Sequence, residues 1–235
     1  MSDTTTEVVY LLLKSGLDIS AGEKKIQWED GLSTIMKQPG AKRVLWGRQI
    51  EDPDTVQMII GMCIVMVVHE KDWDSLESHQ AFTQSPSYKP FIEKISEHFL
   101  AGPPNYFHVK FPAAQIAKGD PFTAPVSECF SAFFEPDYDT SKYDTQFFGF
   151  QEVMGQIENV GSEGIAGGWS IEKQGHEALG EGVQGQLFVL FRGWESLAAH
   201  TKFVESEHIH KVVPYLYEGP VAKNVRHIEF KEYKK

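Results

Sequence analysis

WDSLESHQAF (73–82) and WESLAAHTKF (194–203) are two copies of one pattern, Trp-x-Ser-Leu-x-x-His-x-x-Phe, set 121 residues apart. Extending the window to Ser85 and Ser206 gives six identities in 13 positions, where ordinary composition yields about one by chance. The same offset pairs Asp18 with Asp139 and Gly40 with Gly161. Near the ends of the two halves, His-Val-Lys-Phe at 108–111 returns as His-Ile-Glu-Phe at 227–230. The chain therefore reads as a tandem duplication, and each half can be checked against the other.

The first half opens with the apolar run Val8 to Lys14, which suits a buried strand. Trp28, Leu32, Ile35 and Met36 then fall at i, i+4, i+7 and i+8 on one stripe of a helix that Pro39-Gly40 ends. Strands are expected from Lys42 to Ile50 and from Val56, a second helix from Ser75 with a break near Pro86, and a closing strand from Tyr106 to Phe111. The second half repeats the order: Cys129 to Phe134, a helix carrying Phe147, Phe150, Met154 and Ile157, then Ile165 to Lys173, Gln186 to Phe191, a helix from Ser196, and Asn224 to Phe230. Each half is βαββαβ, the ferredoxin-like arrangement, and the fold class is α+β. Two such sheets in one chain can pack their bare faces together as an intramolecular dimeric α+β barrel. The expected divisions are 1–112, a Pro-rich linker at 113–125, and 126–235.

Composition narrows the function. Hydrophobic residues make up 41% of 235, enough for a proper core, and 22 Lys plus Arg against 33 Asp plus Glu leave a net charge of −11. That balance repels phosphate backbones and anionic head groups, so neither nucleic acid nor membrane is an expected partner. The longest apolar run, Met58 to Val68, is about half the roughly 20 residues a spanning helix needs. The N-terminus lacks a basic segment followed by a signal core, and Cys63 and Cys129 have no metal-ligand spacing, so a cytoplasmic protein is expected. The Gly161 to Gly168 stretch has no phosphate-cradle spacing and reads as a turn. Around His208-Ile209-His210, only i, i+3 pairs with Glu205 and Glu207 could share a metal, and a solvated charged face is the better reading. From Gln57 to Trp73 the first half is eight residues longer than the second is from Gln186 to Trp194, and the apolar excess around Gly61 to Lys71 reads as an insertion.

The Trp-x-Ser-Leu-x-x-His-x-x-Phe signatures, together with Ala41-Lys-Arg-Val-Leu-Trp-Gly-Arg48, resemble the dimeric α+β barrel proteins. The similarity is to the antibiotic-biosynthesis-monooxygenase-like and stress-responsive A/B-barrel groups, in tandem fungal-type form. The resemblance implies a cofactor-independent monooxygenase or cyclase acting on a small aromatic, polyketide-like substrate in secondary metabolism, working as a monomeric pseudo-dimer or a homodimer. A non-catalytic ligand-binding or stress-responsive barrel is the alternative. In the family's polyketide cyclases a Tyr and a His on the second helix form the acid/base pair. Their places here hold Phe82 and Tyr88 in the first half and Phe203 and Ile209 in the second, so that pair is not preserved.

Tyr88 is the foremost proton-transfer candidate. His79 and His200 share helical faces with apolar residues and could move a proton near neutral pH, or hold the strand-to-helix turn through hydrogen bonds. Their recurrence favours the structural role. Trp46 and Trp169, in matching strands, and Phe82 and Phe203 are expected as walls for an aromatic ligand or as core. His108 and His227 are expected to point away from the helices, with Phe107, Val109, Ile228 and Phe230 beneath them.

Overall fold

The computed structural model describes residues 4–38, 41–61, 82–116, 119–158 and 161–234. The motif copy at 73–81, with His79, and most of the expected insertion lie outside them. The chain divides into two compact units: residues 1–110 with 228–235, and residues 111–227.

In the first unit, β1 (Thr4–Leu12), β2 (Val44–Arg48), β3 (Thr55–Ile60), β4 (Asn105–Phe111) and β10 (Lys231–Glu232) form one sheet in the order β10-β2-β3-β1-β4. The β1/β3, β2/β3 and β10/β2 pairs are antiparallel. Helices α1 (Gly22–Met36) and α2 (Tyr88–Phe99) cover one face. The apolar period of α1 explains its seat: Trp28 and Leu32 are each 2% exposed against Val9, Leu11, Met58 and Ile60, while Phe99 of α2 meets the Trp28 ring edge-on at 5.4 Å. Burying one such side chain contributes roughly 1.5–3 kcal/mol. Gly47 has a specific reason to lack a side chain, because a Cβ there would stand 2.5 Å from the Glu229 carbonyl as the C-terminal segment passes β2.

The second unit has the order β6-β8-β5-β9, from β5 (Val126–Phe134), β6 (Ser162–Trp169), β8 (Gln184–Trp194) and β9 (Ala222–Ile228), with the short β7 (Gln174–Gly175) on β8. Its helices are α3 (Ala113–Ile116), α4 (Thr140–Gly155), α5 (Leu197–Val204) and α6 (Ile209–Tyr217). Asp139 caps α4 by accepting from the Ser141 amide and hydroxyl, and Ser196 caps α5 by accepting from the Ala199 amide. The core is aromatic: Phe134, Tyr143, Phe147, Trp169 and Phe188 form a chain of edge-on and tilted rings 4.8–5.9 Å apart. Both sheets follow the ferredoxin-like order, and the fold class is α+β.

Three expectations change. The Gly161 to Gly168 stretch is mostly strand, not turn. Gly164, at φ +79°, lies in a bulge between Ser162 and Ile165, and Gly167 lets Phe147 of α4 lie directly on β6. Residues 113–125, expected as a linker, belong to the second unit, where Phe122 is fully buried with its ring 4.7 Å from Phe191. The last strands run in the opposite phase to expectation. His227 Nε2 lies 2.8 Å from His200 Nδ1 on α5, and β9 ends at Ile228, leaving Phe230 beyond it. In β4, Phe107 packs on Tyr10, while His108 shares the face of Tyr106. Under the helices a buried imidazole finds polar partners, which offset the cost of burying its nitrogens.

Candidate functional site

In the first unit a cleft of about 80 Å³ lies between α1, α2 and the sheet. Strand alternation puts Val9 and Leu11 of β1 into it together with Glu7, and Met58 and Ile60 of β3 beside them. Trp28, Leu32 and Ile35 of α1 form one wall, and Phe91, Ile92 and Ile95 of α2 the other. Among the described residues the lining is apolar except at one end, where Glu7, Tyr88 and Tyr106 gather. Glu7 is 6% exposed, Tyr106 on β4 is 40% exposed, and Tyr88 is half-buried at the first turn of α2. Burial raises the Tyr88 hydroxyl above the ordinary tyrosine value, and Tyr106 and Glu7 push it the same way, so the three groups feel one another. Tyr88 therefore stays a protonated hydrogen-bond donor through neutral pH. Phe82, edge-on to Tyr88 at 5.2 Å, holds that ring in place.

The offset that relates the two sequence motifs also carries Glu7 to Glu128 and Val9 to Phe130, and the ladders agree. Glu7 faces Ile60 across β3, and Glu128 faces Arg192 across β8. Ile60 and Arg192 are 132 residues apart whereas Trp73 and Trp194 are 121 apart, so the excess in the first half is eleven residues, not eight, and follows Ile60. Among the described residues, Glu7 faces the apolar lining of the cleft, whereas Glu128 sits in a packed polar network. Around Glu128 the space is filled: Phe130 is 1% exposed, and the Arg192 guanidinium lies 3.8 Å over Trp194 and 4.5 Å over Phe203. Trp194 Nε1 donates to Glu128 Oε2 at 2.8 Å, and His200 Nε2 stands 3.6 Å from the same oxygen. Burial lowers Arg192 to about 10, with Glu128 acting in the opposite direction, and Arg192 Nη2 has no hydrogen-bond partner among the described residues. The ring nitrogens of His200 face Glu128 on one side and His227 on the other, an arrangement that ties α5 to the sheet.

Of the residues expected from the sequence, Tyr88 and Phe82 come together in the cleft. Trp46 packs edge-on against Trp28 at 5.4 Å, outside the cleft lining, with the Lys231 ammonium over its ring. Trp169 donates from Nε1 to Asp144 and belongs to the second unit's aromatic core. Phe203 and His200 belong to the network around Glu128. Glu7 and Tyr106 were not singled out. A lone glutamate in an apolar strand looks like solvent-side alternation, and the available signal was its 121-residue match to Glu128. Among the described residues no cluster of three metal-ligating side chains exists, and no helix is long and apolar enough to cross a membrane.

No family model matches the sequence, and no curated protein matches it. Solved structures do. An anthrone oxidase-like protein aligns over 100% of this chain and 95% of its own, with TM-score 0.64 and 9% identity. A candidate monooxygenase from Lactobacillus acidophilus aligns over 99% and 95%, with TM-score 0.55 and 9% identity. Another from Fusobacterium nucleatum aligns over 100% and 95%, with TM-score 0.55 and 8% identity. At such identities the likeness is one of fold alone. This chain has the ferredoxin-like α+β architecture of these monooxygenase-type structures.

Proposed function

We propose that the chain is an oxygenase-type enzyme that holds a small, electron-rich aromatic molecule in the first unit's cleft and needs only the chain's own groups for its proton transfers. The observation that carries this reading is the cleft's polarity: an aromatic-walled apolar space with one carboxylate and two phenols at a single end. An anthrone-like substrate illustrates the chemistry. Glu7 takes the proton from the benzylic carbon, and the Tyr88 hydroxyl donates to the oxygen on which the resulting negative charge collects. That carbanion transfers electrons to dioxygen, a carbon–oxygen bond forms, and the peroxide loses water to leave a quinone. One O2 enters, one oxygen atom remains in the product and the other leaves as water. Apolar walls exclude bulk water and keep the ring flat between Trp28 and Phe91. The likeness to an anthrone oxidase-like protein and to candidate monooxygenases supports the reaction class. We further read the two halves as a duplication in which the first kept an open cleft and the second filled it.

Oxygen uptake against anthrones and hydroquinones, without added cofactor, tests the reading. Expected is protein-dependent uptake that falls about 10²–10⁴-fold in Glu7→Gln, the range for losing a general base, and less in Tyr88→Phe. No uptake by folded protein, or an unimpaired Glu7→Gln, would overturn it.

A further inference from the structure

We propose that the cleft has a second entrance, through the crossing of α1 and α2 at Gly31, with Ile95 as its plug and the Asp30–Lys94 ion pair as an outer latch. This rests on the reading of the cleft as a ligand site. Two voids meet at this crossing. The cleft is bounded by Gly31, Phe91 and Ile95, and the same three residues floor a groove of about 190 Å³ on the outer side of the helix pair. One layer of side chains separates them. Gly31 thins that layer. Glycine inside a helix is destabilising relative to alanine, and here nothing at a helix end requires it. Its reason is steric: a Cβ would stand 2.8 Å from Ile95 Cδ1. The atom met is the far end of a flexible side chain. Ile95 therefore closes the gap in this conformation and opens it by changing rotamer, a fast motion for one side chain.

The outer rim is polar. Lys94 Nζ lies 2.8 Å from Asp30 Oδ2 across the groove, with both side chains about half-exposed. Such a pair holds two helices with modest strength and can be re-formed. The route also has a chemical consequence. The cleft's other solvent-facing side passes Tyr106, next to Glu7 and Tyr88. Past the Asp30–Lys94 rim, a ligand crossing at Gly31 passes Gly31, Phe91 and Ile95 into the apolar interior and reaches Glu7, Tyr88 and Tyr106 last.

The test is stopped-flow binding of N-phenyl-1-naphthylamine, a neutral apolar fluorophore, to the full chain. Ile95→Ala should raise the association rate by fivefold or more, with the dissociation rate rising at least as much. Lys94→Met, an exposed change that leaves the cleft lining intact, should raise both about twofold, and Gly31→Val should lower both. A mere wall residue would instead shift Kd through dissociation alone, and that result, or unchanged rates in Ile95→Ala and Lys94→Met, overturns the second entrance. Wild-type protein that takes up no probe and oxidises no substrate overturns the cleft reading itself. Uptake with unaltered rates in the variants overturns only the route.

Discussion

Gly167→Ala adds one methyl group where Phe147 of α4 lies on β6 in the second unit. The new Cβ would stand 2.8 Å from Phe147 Cε1 and 2.9 Å from Phe188 Cζ, and closer still to Phe147 Cζ. Carbon atoms pack favourably at about 3.5–4.0 Å, so roughly an ångström of displacement is needed on two sides. Neither ring can supply it cheaply. Phe147 is stacked on Phe150 at 6.1 Å, and Phe188 is wedged between Tyr143 and Trp169 at 5.0 and 5.2 Å. Overpacking of this kind costs about 1–3 kcal/mol, while replacing a strand glycine returns about 0.5–1 kcal/mol. The net expectation is a loss of up to about 2.5 kcal/mol, or up to about 10 °C in Tm at 2–4 °C per kcal/mol for a chain of this size. Urea unfolding followed by tryptophan fluorescence measures it, and Phe147→Leu supplies the control. The smaller side chain is destabilising alone, but it vacates the space the methyl needs. The double variant should therefore be more stable than the sum of the singles by at least 1 kcal/mol. Additivity within about 0.5 kcal/mol would refute the argument that Gly167 exists to admit Phe147.

Phe122→Ala should destabilise the second unit by about 3–5 kcal/mol, because the ring is fully buried beside Phe191 and Phe111; protease cleavage within 113–125 should appear only in the variant. Tyr143→Phe removes the hydroxyl that donates to the Leu216 carbonyl at 2.9 Å and should cost about 1–2 kcal/mol in the same urea titration. Asp139→Ala should lower Tm at pH 7 and cease to do so in acid. Hydrogen bonds from the Ser141 hydroxyl and amide lower this carboxyl's pKa, so its contribution is complete above the ordinary aspartate value of about 3.9 and is lost as pH falls through the lower folded value. Thermal scans from pH 7 to pH 2 check the convergence.

The helix stripe Trp28–Leu32 and the strands around it were readable because one apolar period extended over two turns and then met a turn signal. The four-strand orders were readable because the second half repeated the first. Glycines 161–168 were misread because composition records that a stretch can bend, not that a phenylalanine ring lies on it. The phase of β4 and β9 was inverted for a related reason. Alternating Phe and His residues do not say which set lies under the helices; for β9 the polar partner that decides it, His200, comes from a helix elsewhere in the chain. Glu7 escaped notice because its meaning lies in Ile60, fifty-three residues away, where the other ladder has Arg192. A site assembled from one residue on each of several elements leaves no local motif.

The strand beside β2 comes from residues translated long after it. Lys231 and Glu232 pair with Trp46 and Leu45, and Gly47 is bare so that Glu229 can pass. While the ribosome is still making the second unit, the first carries an exposed β2 edge with unpaired amides and carbonyls, a template for pairing with another nascent chain. Vectorial synthesis thus leaves the first unit without its edge strand until that segment emerges. A ribosome-stalled chain ending before residue 228 should bind holdase chaperones through β2, and release of the segment that follows should end that dependence.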